Sequence, residues 1–437
     1  MKRPSPWLFA LTGTPYGVVG SFVAQVMPNL AQRAKIDLGD VGLFSALLFI
    51  PTIVLFLYAP LIDLGPRRKH WLLITSVVGA ACMYATFLMP LPAHLTAFMV
   101  FAFFANAISG LVGSCNGALM SDSMPDELRG RAGGWYNVGN LSGGALSASL
   151  VIWLIGAGVR PAVVGAIVSA MMIAPSVAVL WLDEPPRPKI DRGAAFRTTL
   201  REARRLLFSK RGVTGIALCM SPVGTAALVN FFSGMSDAYG VSARTVAIVT
   251  GLGNAGLSAV GSAIVGYLCD RFNRRVLYLA SGLLTAVCGV AMALSPRSPT
   301  TFVIGGLTYA LITGFCYAAF TATVLETMGK AGQTAATQYS LFIAAGNLAI
   351  TYVGLIDTRF SDRFGVEGVV ASDAALNVLG VVVLGVAFWR LGSFGKWSHP
   401  ANAPEPEPPP LVDQPPAPVF PTAVARIVDR DDGRDEP

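Results

Sequence analysis

Charge is scarce in this chain. Of its 437 residues only 13% are Asp, Glu, Lys or Arg, against 53% hydrophobic, and a soluble domain of this length needs far more charged surface. Histidine is scarcer still: His70, His94 and His399 stand far apart, as do the six cysteines. That leaves neither a metal cluster nor a nucleophile beside a base, which argues against a membrane-embedded enzyme, and no cofactor is implied. No Gly-x-x-x-x-Gly-Lys-Ser/Thr loop is present to cradle nucleotide phosphates, so ATP-driven work is not indicated. The basic residues are not gathered on one soluble surface, so nucleic acid is not expected as a partner. No Lys, Arg or His falls near the middle of any apolar run. A buried polyanion such as a CoA ester would find only helix N-termini there, which favours a neutral or weakly charged solute.

What the sequence has in abundance is long apolar runs, with a mean hydropathy of +0.59. A window near 19 residues marks about twelve of them. The first six lie near 7–30, 40–62, 71–90, 93–120, 133–157 and 161–182; the second six near 213–235, 244–268, 276–295, 301–326, 333–357 and 372–394. Hydrocarbon offers the backbone no outside partner, so such runs should be helices, and the fold class is an all-α integral membrane protein. Lys2 and Arg3 precede the first run, but no Ala-x-Ala-type cleavage site follows, so it is expected to stay as a span. Cys82, Cys115, Cys219, Cys269, Cys288 and Cys316 fall in spans or at their inner ends, where packing is the default role.

Basic residues orient the spans. All 32 lie on the side of the two termini and every second loop, except Arg33, Lys35, Arg160, Arg244, Arg297, Arg359 and Arg363. This places both termini in the cytoplasm and makes the net charge of +7 mainly a topology signal. Residues 1–182 and 213–394 then form two six-helix bundles. The linker 183–212 sets Phe196, Leu200, Ala203 and Leu207 on one helical face among Arg197, Arg201, Arg204 and Arg205, the pattern of a helix lying on anionic lipid. The Pro-rich tail, 395–437, lacks apolar periodicity and should be disordered.

The two halves repeat. "APLIDLGPRR", 59–68, aligns without a gap on "GYLCDRFNRR", 266–275, pairing Asp63 with Asp270, Arg67 with Arg274 and Arg68 with Arg275. The same offset of 207 residues sets "TPYG", 14–17, on "SPVG", 221–224, so that Pro15 meets Pro222 and Gly17 meets Gly224. Parallel repeats about an axis along the membrane normal, with a site between them, describe one large class of secondary transporter. Each proline removes a backbone donor early in the first helix of its half, and a break or kink is expected there, either a hinge or a static bend.

The Gly-x-x-x-Asp-Arg-x-x-Arg-Arg loop resembles the signature of the major facilitator superfamily. The resemblance implies that Asp63, Arg67, Arg68, Asp270, Arg271, Arg274 and Arg275 form a conformational latch. The first copy departs from the pattern at Ala59, Leu64 and Pro66, and the second at Asn273, which tolerates a left-handed turn. Asp270 is expected to pair with the arginines or cap the ninth helix. More narrowly, "TGTPYG" with "FIPTIVLFLYAPLID", "LMSDSMPDELRGRAGGWYNVG" and "AATQYSLF" are similar to the AmpG-type muropeptide permeases and their acetyl-CoA transporter relatives.

That resemblance implies proton-coupled import of a small solute at a bacterial inner membrane, by a chain that acts as a monomer among lipids. Asp122, whose counterpart lies on the transport path in those permeases, and its symmetry mate Glu326 are candidates for proton coupling. Structural pairing of Asp122 with Arg129 or Arg131 is the alternative. Amides beside aromatic faces suit sugar hydroxyls and N-acetyl groups. Tyr16, Gln25, Asn137, Asn140, Gln338 and Asn347 lie in spans one, five and eleven, which resemble cavity-lining helices of the superfamily. Transport of an organic anion or acetyl-CoA, or a receptor that moves nothing, are the competing readings.

Overall fold

The structure, a computed structural model, describes residues 5–184, 201–329 and 331–390. Helix α1, residues 8–33, runs as Leu8–Ser21, widens into a π turn at Phe22–Val26 and resumes as Met27–Arg33. Helix α2 is bent by 43° between Asp40–Ile53 and Leu55–Leu64. Then come α3 (Arg68–Leu88), α4 (Leu95–Ser123), α5 (Asp126–Gly156) and α6 (Pro161–Trp181). The second half opens with α7, residues 210–239, which is helical over Lys210–Cys219, irregular through 220–226 and helical again from Ala227 to Tyr239 in short pieces. It continues with α8 (Ala243–Cys269), α9 (Arg274–Leu294) and α10 (Pro299–Met328). The 59-residue stretch Gly332–Arg390 turns at Gly365, φ 62°, into α11 (335–364) and α12 (366–390). These are the twelve expected segments, all of them helical, and no strand occurs among the described residues.

The expected breaks at the paired prolines do not match in the two halves. At Pro15 the helix continues, and α1 departs from α geometry only seven residues later. Gly17 does not loosen it: a Cβ there would run into the Asn140 backbone, so the glycine lets α1 and α5 touch. Before Pro222 the helix does end, at Cys219. Gly224 (φ 67°) and Ala226 (φ 54°) are left-handed, a conformation that only glycine takes without cost. The sequence repeat predicts equivalence, but the neighbouring helix decides whether a proline merely removes one bond or stops the helix.

Three apolar cores show how the halves meet. One lies wholly in the first half, around Phe22, Met27, Met83 and Phe98, and one wholly in the second, around Phe232, Tyr239, Met292 and Phe302. The third joins both halves at the end that carries the repeated loops, with Leu119, Met120 and Met124 in the same cluster as Leu325, Met328 and Phe342. Outward-facing apolar residues such as Leu294 (83% exposed), Trp389 (74%) and Trp153 (65%) form the lipid-facing surface of a membrane protein.

Of the linker, 185–200 lies outside the described residues and takes Phe196 and Leu200 with it, as does the tail beyond 390. Residues 201–208 are helical, Ala203 is buried, and Glu202 accepts a hydrogen bond from Thr334 at 2.9 Å. This part of the linker therefore touches the start of α11 through Glu202.

Candidate functional site

Between the halves lies a cavity of about 70 Å³. Tyr16, Asn137 and Asn140 reach it from α1 and α5; Ser221, Gly224 and Thr225 from the irregular stretch of α7; Tyr278 from α9; Tyr317, Phe320 and Thr321 from α10; Tyr339 and Asn347 from α11. Its lining contains no Asp, Glu, Lys, Arg or His. Of the expected cavity residues, Tyr16, Asn137, Asn140 and Asn347 are brought together here. Gln338 is not: it turns toward the loop end and donates to Thr334 Oγ1 at 2.8 Å. Gln25 sits in the π turn of α1, away from the lining.

The amides are already partly engaged. Asn137 Nδ2 meets the carbonyls of Gly133 (2.9 Å) and Tyr317 (3.0 Å) and the Thr321 hydroxyl (2.8 Å), tying α5 to α10 across the two halves. Asn347 donates to the Thr52 carbonyl at the bend of α2, at 3.3 Å. The Tyr339 hydroxyl, by contrast, is buried and makes no full hydrogen bond, with the Thr321 hydroxyl as its neighbour. A solute acceptor would satisfy it. Gly117 of α4 makes room for its ring, since a Cβ there would overlap the Tyr339 aromatic carbons. Tyr278, which sequence reasoning did not single out, donates to the Val223 carbonyl at 2.6 Å and so holds the irregular stretch of α7 in place. Its importance depends on which backbone lies opposite it, and span counting does not contain that.

The repeated loops do come together as paired clasps. Asp63, at the end of α2, accepts hydrogen bonds from the backbone of Ala336 (3.2 Å) and Thr337 (2.8 Å) and from the Thr337 hydroxyl (2.7 Å). An acid of the first half thus caps the exposed N–H groups of a helix of the second. Asp270, at the end of α8, mirrors it on the first turns of α5, accepting from Arg131 N (3.3 Å) and Arg131 Nε (2.6 Å). Asp270 does not cap α9. Asn273 does, accepting from Arg275 and Val276 with an ordinary negative φ rather than a left-handed turn. Burial pushes the Asp270 carboxyl above the usual carboxylate range, against the opposing pull of Arg131. Gly130, Gly134 and Gly266 allow α5 and α8 to lie in backbone contact beside it.

The arginines complete the clasps unequally. Arg68 is buried and pairs with Asp63 at 3.3 Å and with Asp122, while also donating to the carbonyl of Gly332 in the other half. Arg274 reaches the Asp126 carbonyl at 2.7 Å, and Glu326 lies 4.0 Å from Arg274 and 3.7 Å from Arg275. Arg67 and Arg271 are exposed. Asp122 and Glu326 therefore sit at the clasps and not in the cavity. The partner of Asp122 is Arg68, 54 residues away, where the nearby Arg129 and Arg131 were the sequence candidates. Those two instead pair with Asp126 (2.5 Å) and Asp270.

Comparison with solved structures shows the same fold at low identity. The proton:xylose symporter XylE, bound to 6-bromo-6-deoxy-D-glucose, matches with a TM-score of 0.66 at 13% identity, over 88% of this chain and 94% of that one. FucP, a Major Facilitator Superfamily transporter solved in the outward conformation, matches at 0.65 and 14%, over 87% and 99%. The human organic anion transporter MFSD10 (TETRAN) matches at 0.64 and 14%, over 86% and 98%. The sequence itself fits the Major Facilitator Superfamily twice, over residues 9–233 and again over 214–428. With two fits, one for each half, and a clasp repeated in each, the chain belongs to the Major Facilitator Superfamily.

Proposed function

We propose that the protein is a secondary active transporter that imports a small, uncharged or weakly charged solute by alternating access, in symport with protons. The observation that carries this reading is the composition of the cavity: hydroxyls, amides and aromatic faces, with no charged side chain in the lining. Such a surface suits a carbohydrate carrying hydroxyl and N-acetyl groups. It has no counter-charge for a polyanion. An amino sugar or muropeptide fragment fits both this lining and the likeness of "TGTPYG" and "AATQYSLF" to the AmpG-type permeases. Two of the structures that share the fold carry sugar transport in their descriptions, the proton:xylose symporter and the fucose:proton symporter of E. coli.

Solute sites usually occupy about 300–1,000 Å³, so a cavity near 70 Å³ belongs to a contracted state that must widen to load. With basic loops inside, the clasped end faces the cytoplasm of a bacterial inner-membrane protein, and loading is from the other side. Asp122 and Glu326 act on this reading through the clasps: protonating Asp122 removes one of the two acids that hold Arg68, the residue that also grips Gly332. Uptake of labelled amino sugars, cell-wall fragments, peptides and acetyl-CoA into right-side-out and inverted vesicles, with and without a proton gradient, tests the proposal. Uptake of a neutral glycan that collapses with the gradient supports it. Uptake of acetyl-CoA alone, or of nothing, overturns it.

A further inference from the structure

Two acids that the sequence reading passed over are among the most deeply buried groups in the protein. Asp357 of α11 and Asp373 of α12 have no exposed surface. Each lies eight residues from the turn at Gly365, about 12 Å along its helix, at the end of the molecule opposite the clasps. Ser372 donates to Asp357 Oδ1 at 2.5 Å, and Tyr309 of α10 donates to Asp373 Oδ2 at 3.0 Å. The remaining oxygens, Asp357 Oδ2 and Asp373 Oδ1, are buried and have no partner. Among the described residues, the titratable side chains that interact with the pair are Tyr309 and Cys316 of α10 and Cys288 of α9; α7 meets their partners through the Gly224 N–H on Asn377 and the Phe232 ring on Tyr309. Among the described residues neither acid forms an ion pair. The pair between Arg297 of the α9–α10 loop and Glu367 at the start of α12 is exposed.

Two buried carboxylates close enough to repel each other cannot both stay ionised in such a place. Removing a bare carboxylate from water costs several kcal/mol even after relaxation, and a second negative charge beside it adds to the cost. A proton on one of the two acids removes a charge from the buried site. The wiring runs from there to the cavity. Asn377, itself fully buried, donates to the Asp373 carbonyl at 2.9 Å and accepts from the backbone N–H of Gly224 at 3.0 Å. Tyr309 stacks edge-on against Phe232 with ring centroids 5.8 Å apart. Asn377, which bonds the Asp373 main chain, thus holds Gly224 in the irregular stretch of α7, and Tyr309, which bonds the Asp373 carboxylate, packs on Phe232 in the helical piece that follows; Gly224 lines the cavity.

We propose that Asp357 and Asp373 form a proton-binding site apart from the solute cavity, whose occupancy sets the position of the broken helix α7 through Asn377 and Tyr309. Its role in transport rests on the symport reading above. Its occupancy does not, so occupancy is what the experiment reads.

The full-length protein in lipid nanodiscs is followed by infrared difference spectroscopy of the carboxylic-acid C=O stretch across a pH titration, in choline chloride and in sodium chloride. The expected result is a protonated-carboxyl band persisting at pH values where free aspartate is ionised. It should be lost in Asp373→Asn or Asp357→Asn and unchanged by sodium. Tyr309→Phe, which keeps the packing but removes the donor, should shift the band without abolishing it, and it stands in if the Asn variants do not fold. Maleimide labelling of the native Cys219, read by peptide mass at one fixed pH, reports α7 and should differ between wild type and Asp373→Asn. Absence of the band, a band untouched by all three variants, a band displaced by sodium, or labelling unchanged in a variant that lacks the band each overturns the proposal. If the band and labelling behave as expected while no solute moves with protons, the symport reading fails and the site stands.

Discussion

Replacing Asp63 by Asn tests the clasp at its best-defined point. The carboxylate accepts two backbone N–H groups, one hydroxyl and the Arg68 guanidinium, all across buried surface. Asn keeps one acceptor oxygen and turns an NH2 group toward donors, so at least two charge-assisted bonds and the interaction with the α11 N-terminus are lost. Hydrogen bonds to a charged group are worth about 1.5–3 kcal/mol each and a charge at a helix end about 0.3–1. Residual solvation in the opened state returns part of that, leaving a net loss near 3 kcal/mol. Inverting a 99:1 equilibrium takes about 5.5 kcal/mol, so a loss of this size brings clasped and open states close to parity. The assay is the rate of maleimide labelling at Ser121→Cys, a buried position whose hydroxyl bonds the Gly329 carbonyl at 2.8 Å when the clasp is shut. Labelling should rise by at least about tenfold in the Asp63→Asn background. A rate indistinguishable from the parent, in protein of unchanged helical content, would show that the clasp does not hold the halves together.

The second clasp has a pH signature. Shutting it buries Asp270 and raises its carboxyl above the usual range. The clasped form therefore binds the proton more tightly than an open form with this acid in water, and lowering the pH toward the ordinary carboxylate range favours clasping. Asp270→Asn should flatten this dependence and change cysteine accessibility on the two sides more than solute affinity; a retained slope refutes it. Tyr339→Phe removes a hydroxyl that no full internal hydrogen bond holds, so it should leave thermal stability near wild type while weakening solute binding about tenfold, as for a lost hydrogen bond; unchanged binding removes Tyr339 from the site. Gly117→Val would force the Tyr339 ring aside and should cost about 1–3 kcal/mol of stability, a melting shift absent in Gly256→Val, where a Cβ meets open space. Gly224→Ala places a side chain at φ 67° and should cost about 1–2 kcal/mol; a transport rate and melting point equal to wild type would show that α7 can relax.

Fold class, span number and the two-fold repeat were legible in the residues because hydrocarbon allows a long apolar run only one backbone solution. The repeat also located the clasps, since Asp63 and Asp270 keep their spacing from the arginines. The partners of those acids were not legible. Thr337 and Arg131 belong to the opposite half in each case, and nothing local in "IDLGPRR" names a helix end 274 residues away. The cavity was half visible: amides and tyrosines in spans one, five and eleven could be nominated. The direction each helix faces and the depth of each residue along it sent Gln25 and Gln338 elsewhere and brought Tyr278 in. The break at Pro222 and the unbroken helix at Pro15 differ by neighbours rather than by motif. Asp357 and Asp373 escaped notice for the same reason, since an acid near the end of an apolar run looks like a solvated helix end. Composition and periodicity determined that this chain is a twice-repeated bundle of membrane helices. Which polar groups meet, and which are left buried without a partner, was decided only when the two halves packed, because those contacts depend on distances between helices far apart in sequence.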